Sequence, residues 1–132
     1  MHPGGPFWAR KDAGAWSIPK GEYLPDEEPL TAARREFEEE TGFVPDGAFA
    51  ALEPVTQAGG KTVLAWAVEG DCDPAALRSN TFTTEWPPRS GQHAEFPEVD
   101  RASWFTIPLA LEKITPGQRP LLVQLARIVS TR

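Results

Sequence analysis

The chain has 132 residues, 40% of them hydrophobic, which suits one core and a single domain over 1–132. Its formal charge of −6 argues against non-specific nucleic-acid binding, which needs clustered Lys and Arg. One cysteine, Cys72, excludes an internal disulfide, and with only His2 and His93 the chain lacks the usual sulfur and nitrogen ligands of zinc. Carboxylates are plentiful, and they suit hard cations such as Mg²⁺, Ca²⁺ or Mn²⁺. No apolar run approaches bilayer length, and the first residues lack a charged-then-apolar leader pattern. The expectation is a cytoplasmic protein with no membrane partner.

In chain order, residues Met1 to Pro6 hold two prolines and two glycines and are expected not to form a strand. Ala15 to Ile18 reads as a short strand running into the turn Pro19-Lys20-Gly21. Pro29 to Thr41 is the clearest helix. Pro29 suits its first position, where the missing N–H would be unpaired anyway, and Gly42 suits its stop. Ala48 to Val55 and Lys61 to Val68 read as strands joined at Ala58-Gly59-Gly60. Asp71 to Gly91 reads as mostly turn, and Ala102 to Ile107 as a strand. Arg119 to Val129 carries Leu121, Leu122, Leu125 and Ile128 at helical spacing. The pattern predicts an α/β (α+β) sandwich.

The helix at 29–41 carries the chemistry. At about 100° per residue, Glu36, Glu39 and Glu40 fall within about 100° of arc. Leu30, Ala33 and Phe37 form the adjacent apolar stripe, Ala32 leaves room beside Glu36, and Glu38 points away. Three like charges on one face destabilise a helix by roughly a few tenths of a kcal/mol per i,i+4 pair, and a bound divalent cation reverses that sign. The plain alternative is a solvated acidic face.

The wider spacing separates these readings. Gly21, Glu27, Arg35, Glu36, Phe37, Glu39, Glu40, Gly42 and Phe43 follow the pattern Gly, five residues, Glu, seven residues, Arg-Glu, apolar, any, Glu-Glu, any, Gly, apolar. Its fixed letters meet by chance on the order of 10⁻⁸ to 10⁻⁹ per starting position. On these residues the chain resembles the Nudix hydrolases. Trp16-Ser17-Ile18-Pro19-Lys20-Gly21, the stretch Lys61 to Gly70, and Trp104-Phe105 extend the resemblance over most of Phe7 to Ile107.

The resemblance implies a Nudix fold, a mixed sheet sandwiched between helices. Family members carry more chain before this segment, Gly21 to Phe43 (the Nudix box), so the N-terminal strand is expected to be missing or borrowed, with a homodimer covering the edge. It also implies Mg²⁺ (or Mn²⁺) held by Glu36, Glu40 and Glu39, with Glu27 assisting and the Gly21 carbonyl as a further donor. Glu39 doubles as a candidate base, and Arg35 would orient a glutamate. Glu98, six residues before Trp104, stands where some members place a loop base, with Glu95 and Glu85 as competitors.

Lys20, Lys61 and Arg89 are candidate phosphate contacts, as are Arg10 and Lys11, each against the alternative of a solvated cation. Trp16, Trp66 and Trp104 read as core. Trp86 and Trp8, in Pro/Gly-rich loops, are placed to stack on a base. The implied reaction is hydrolysis of a phosphoanhydride in a nucleotide-type small molecule, in first place a dinucleoside polyphosphate. The alternatives are a MutT-like nucleoside triphosphate pyrophosphohydrolase and a non-catalytic Nudix-fold ligand sensor.

Overall fold

The computed structural model describes residues 1–21, 25–57 and 59–130. Its most regular element is the helix α1, Pro29–Thr41. The Glu28 carboxylate caps it, accepting from the N–H groups of Thr31 at 2.9 Å and Leu30 at 3.1 Å. Those bonds hold the Glu28 carboxyl below the usual carboxylate range. Gly42 ends the helix in the left-handed conformation (φ 79°), and its N–H donates to the Glu38 carbonyl at 2.7 Å. The expected bounds are those observed.

The remaining strands are short and pair antiparallel. β2 (Phe49–Ala51) pairs with β5 (Trp66–Val68), and β3 (Val55–Thr56) with β4 (Thr62–Val63). These correspond to the two expected strands, each broken once. Pro54 has no N–H to give the ladder. Beside it, the Glu53 backbone is engaged on both sides by the Gln124 side-chain amide, at 2.6 and 3.0 Å. At the connecting turn Gly59 and Gly60 have φ of 93° and 86°, as expected for glycine there. The turn's Ala58 lies outside the described residues.

Three expectations are corrected. Within Asp71 to Gly91, read as turn, Thr81–Glu85 forms β6, paired over five residues with β7, His93–Pro97. The β-branched and aromatic run Thr81-Phe82-Thr83-Thr84 is a strand signal. The expected strand at Ala102 to Ile107 is instead irregular chain leading into the helix α2, Ile107–Lys113, with Pro108 in its first turn. And the N-terminus does form a strand. β1, His2–Pro3, pairs with β8, Val99–Arg101. Ala15 to Ile18 contributes only a parallel bridge from Trp16 to Ile114. Among the described residues three α-helices and four two-stranded antiparallel ladders fit the expected α+β class, with the strands in separate ladders rather than in one mixed sheet.

The closing helix α3, Arg119–Ser130, buries Leu121 and Leu122 as its spacing implied. Trp16 is buried beside Ile114 and meets His2 and Phe105 edge-on, with ring centroids 5.2 and 5.0 Å away. Trp104, expected in the core, is 61% exposed and donates its indole N–H to the Cys72 carbonyl at 3.1 Å. A cavity of about 700 Å³ is lined by α1, α3 and the strands β2, β4 and β5. Leu30, Ala33 and Phe37 line one wall, and Leu121, Leu122 and Leu125 the other. No helix among the described residues is long and apolar enough to cross a membrane.

Candidate active site

The turn before the box folds back on α1. The Lys20 N–H donates to the Glu40 carboxylate at 2.9 Å. Gly21 lies against Glu36 so closely that an added Cβ would sit 2.0 Å from the Glu36 carboxyl carbon. Glycine is required here by this close approach of backbone to carboxylate. Glu36 and Glu40, one turn apart, therefore both face the Lys20–Gly21 backbone.

Burial pushes the Glu40 carboxyl up to about 7. The Lys20 N–H and ammonium oppose that shift, while the charges of Glu36 and Glu98 add to it.

Arg35 gathers the other acids. Its Nε and Nη2 donate to both oxygens of Glu27 at 2.9 Å, a bidentate pair. Its Nη1 reaches Glu39 at 3.1 Å and Glu36 at 3.1 Å. These carboxylates, Glu27 first, hold the guanidinium above its ordinary value. Arg35 thus engages three carboxylates at once, those of Glu27, Glu36 and Glu39. Glu39 is turned toward Arg35 and is 42% exposed.

Among the described residues no three His, Cys, Asp or Glu side chains are gathered to hold a metal ion. The donor chemistry that is present fits a hard divalent cation: two carboxylates against a glycine backbone, with neither thiolate nor imidazole in the pair. Glu27 and Glu39 are committed to the guanidinium and stand one step behind.

The second carboxylate source arrives from far along the chain. The Glu98 N–H donates to the Asn80 carbonyl at 2.8 Å, and the Asn80 N–H to the carbonyl of Glu39 at 3.2 Å. On its other side the Glu98 carbonyl accepts from the Gly4 N–H at 2.9 Å. Glu98 is exposed, and its charge reaches Glu40. Its competitors stand elsewhere. Glu95 lies on β7 opposite Thr83, and Glu85 accepts from the Arg89 N–H at 2.7 Å.

Of the expected substrate contacts, Lys20 and Lys61 line the cavity beside α1. Arg89 and Trp86 sit at the tip of the β6–β7 hairpin, where Trp86 meets Phe7 edge-on at 5.6 Å. Trp8 lies under the Lys11 ammonium, 4.8 Å from its ring centroid. Spacing gave no sign of Asn80 or Gly4, whose parts are played by their backbone atoms.

A model of the NUDIX domain matches residues 6–125. The chain belongs to the Nudix family. It is a Nudix hydrolase, acting on pyrophosphate bonds of a small-molecule substrate, and enzymes of this family generally use divalent metal ions. No curated protein and no solved structure matches the chain.

Proposed function

We propose that this Nudix hydrolase cuts a phosphoanhydride in a nucleoside diphosphate linked to another group, with Mg²⁺ as its metal and Glu36 and Glu40 as direct ligands. The observation that carries the reading is the convergence of Glu36 and Glu40 on Lys20–Gly21, where the Glu40 charge is costly without a cation. A divalent ion bound there supplies positive charge to the phosphate oxygens and lowers the pKa of bound water. Around it, Gly21 leaves space and offers its carbonyl as a further donor. Arg35 holds Glu27, Glu36 and Glu39 in fixed directions. Glu98, tied to the end of α1 through Asn80, takes the proton of the attacking water, with Glu39 as the other candidate base. Lys20 and Lys61 meet phosphate, and Arg89 and Trp86 meet the outer part of the substrate.

Within this class a dinucleoside polyphosphate is the preferred substrate, on the likeness of Pro19-Lys20-Gly21, the strand stretch at Lys61–Trp66 and the position of Glu98 to members acting on such compounds. A nucleoside triphosphate, as in MutT-like members, is the second choice. The site's carboxylates are all retained, which weighs against a sensor that only binds. Every named strand pairs on one side only among the described residues, and a homodimer that covers one of these edges is the proposed assembly. Light scattering showing an active monomer removes the dimer.

Product chromatography on dinucleoside polyphosphates, nucleoside triphosphates, ADP-ribose and NADH with Mg²⁺, for wild type and Glu40→Gln, tests the whole reading. Release of a mononucleotide by wild type alone is expected. Equal turnover by both proteins removes the metal site.

A further inference from the structure

The one histidine in the core is not used by the reaction as described. His2 is fully buried. Both ring nitrogens face oxygen acceptors. Nδ1 lies 2.8 Å from the Asp100 carboxylate, and Nε2 lies 2.5 Å from the Lys11 carbonyl. The ring edge packs on Trp16. A polar side chain withdrawn this far from water, with a partner on each nitrogen, fixes whatever it bonds.

Asp100 lies two residues from Glu98 on the same extended stretch. That stretch is gripped from both sides. On one side, His2 holds Asp100 and Gly4 holds the Glu98 carbonyl. On the other, the Asn80 carbonyl and the Ser79 hydroxyl take the N–H groups of Glu98 and Val99, at 2.8 and 3.0 Å. The loop holding Asn80 hangs in turn on the last turn of α1, through Asn80 to Glu39 and through the Arg78 N–H to the Thr41 carbonyl at 2.9 Å. Gly4 has no room for a side chain, since a Cβ there would lie 1.8 Å from the Pro97 oxygen. The chain from His2 to α1 is thus continuous: β1, residues 98–100, residues 78–80, helix.

We propose that His2 and Asp100 form a positioning pair that sets the place of Glu98 relative to the α1 carboxylates. The pair does not touch substrate. It acts through Glu98, and the inference rests on the reading of Glu98 as the base. Without the His2–Asp100 bond, residues 98–100 keep Asn80 and Ser79 but lose an anchor on the β1 side. The Glu98 carboxylate then samples positions from which water is not addressed, and a displacement of about 1 Å is enough to cost about 100-fold in rate.

The test is a mutant cycle in steady-state kinetics with Mg²⁺ and the best substrate of the panel, using His2→Gln, Asp100→Asn, Glu98→Gln and the doubles with Glu98→Gln. His2→Gln and Asp100→Asn are each expected to lower kcat about 10- to 100-fold, with KM within about twofold of wild type. Neither is expected to lower the activity of Glu98→Gln further. Full activity in folded Asp100→Asn overturns the inference, as does a loss that multiplies with that of Glu98→Gln, which marks a merely structural role. Asp100→Asn, isosteric and surface-facing, supplies the answer if His2→Gln does not fold. Wild-type turnover in Glu98→Gln removes the base reading instead, and so separates that failure from failure of the positioning pair.

Discussion

The two carboxylate sources of this site are built in opposite ways. On α1, helical spacing brings Glu36, Glu39 and Glu40 together, and Arg35, on the same helix, pairs with Glu36 and Glu39 within a turn. Glu98 is placed by hydrogen bonds to Gly4 and Asn80, in segments far from it along the chain. The first source persists wherever the helix forms. The second exists only when β1, β8 and the 78–80 loop have met. Defects in packing should therefore reach Glu98 before they reach α1.

Four substitutions or titrations sharpen that contrast. The largest effect is expected from Trp16→Ala, which removes the ring between His2 and Phe105. A loss of about 3–5 kcal/mol in denaturant unfolding is expected, as for other buried aromatics. Hydrogen exchange should show the amides of 98–101 opening before those of α1. Simultaneous loss of protection in both would make them one unit and erase the distinction.

Gly21→Ala attacks the other source. The new methyl must displace the Glu36 carboxyl, a movable group, so the fold should survive. Turnover should drop about 100-fold with an almost unchanged melting temperature. Wild-type kcat in this variant would show that Glu36 need not sit at Gly21.

The third is a titration. A proton and a divalent cation compete for Glu40, whose folded value is about 7 against 4.5 for the free side chain. Mg²⁺ affinity should weaken about tenfold per pH unit below about 7 and level off above it. Without metal, the sign for stability is the reverse. The raised carboxyl favours the fold below the unfolded value, and that contribution is lost as pH rises through about 7. Calorimetric Mg²⁺ titrations on both sides of pH 7 read the first, and melting in a chelator reads the second. A flat affinity would separate Glu40 from the metal.

The smallest effect belongs to Glu28→Ala, which removes the helix cap. A melting temperature lower by a few degrees is expected, with kcat nearly intact because the carboxylates lie turns away. A collapse of activity would show that α1 needs its first turn to hold its last.

How far the sequence could be read follows the same division. The bounds of α1, with Pro29 at its start and Gly42 at its stop, the closing helix, and Arg35 among glutamates were all legible, because each depends on residues within a few positions of one another. The box identified the family for the same reason. β6 was obscured by the prolines around it, and α2 by a proline that starts a helix rather than breaking a strand. The β1–β8 pairing could not be read from either strand, since the two residues of β1 and the three of β8 are too few to carry a period. His2 was therefore visible only as an absent zinc ligand, with nothing local linking it to Asp100.

The space between α1 and α3 bears on how the protein could be made more robust. The stripe Leu30, Ala33 and Phe37 lines a cavity of about 700 Å³ that Leu121, Leu122 and Leu125 of α3 also line. A bulkier aliphatic group at Ala33 grows into that volume, one helical turn from Glu36 and in the cavity that Lys20 and Lys61 also line. Such a replacement should add roughly 0.5–2 kcal/mol, and kcat measured beside the melting temperature shows whether the same volume also serves the substrate.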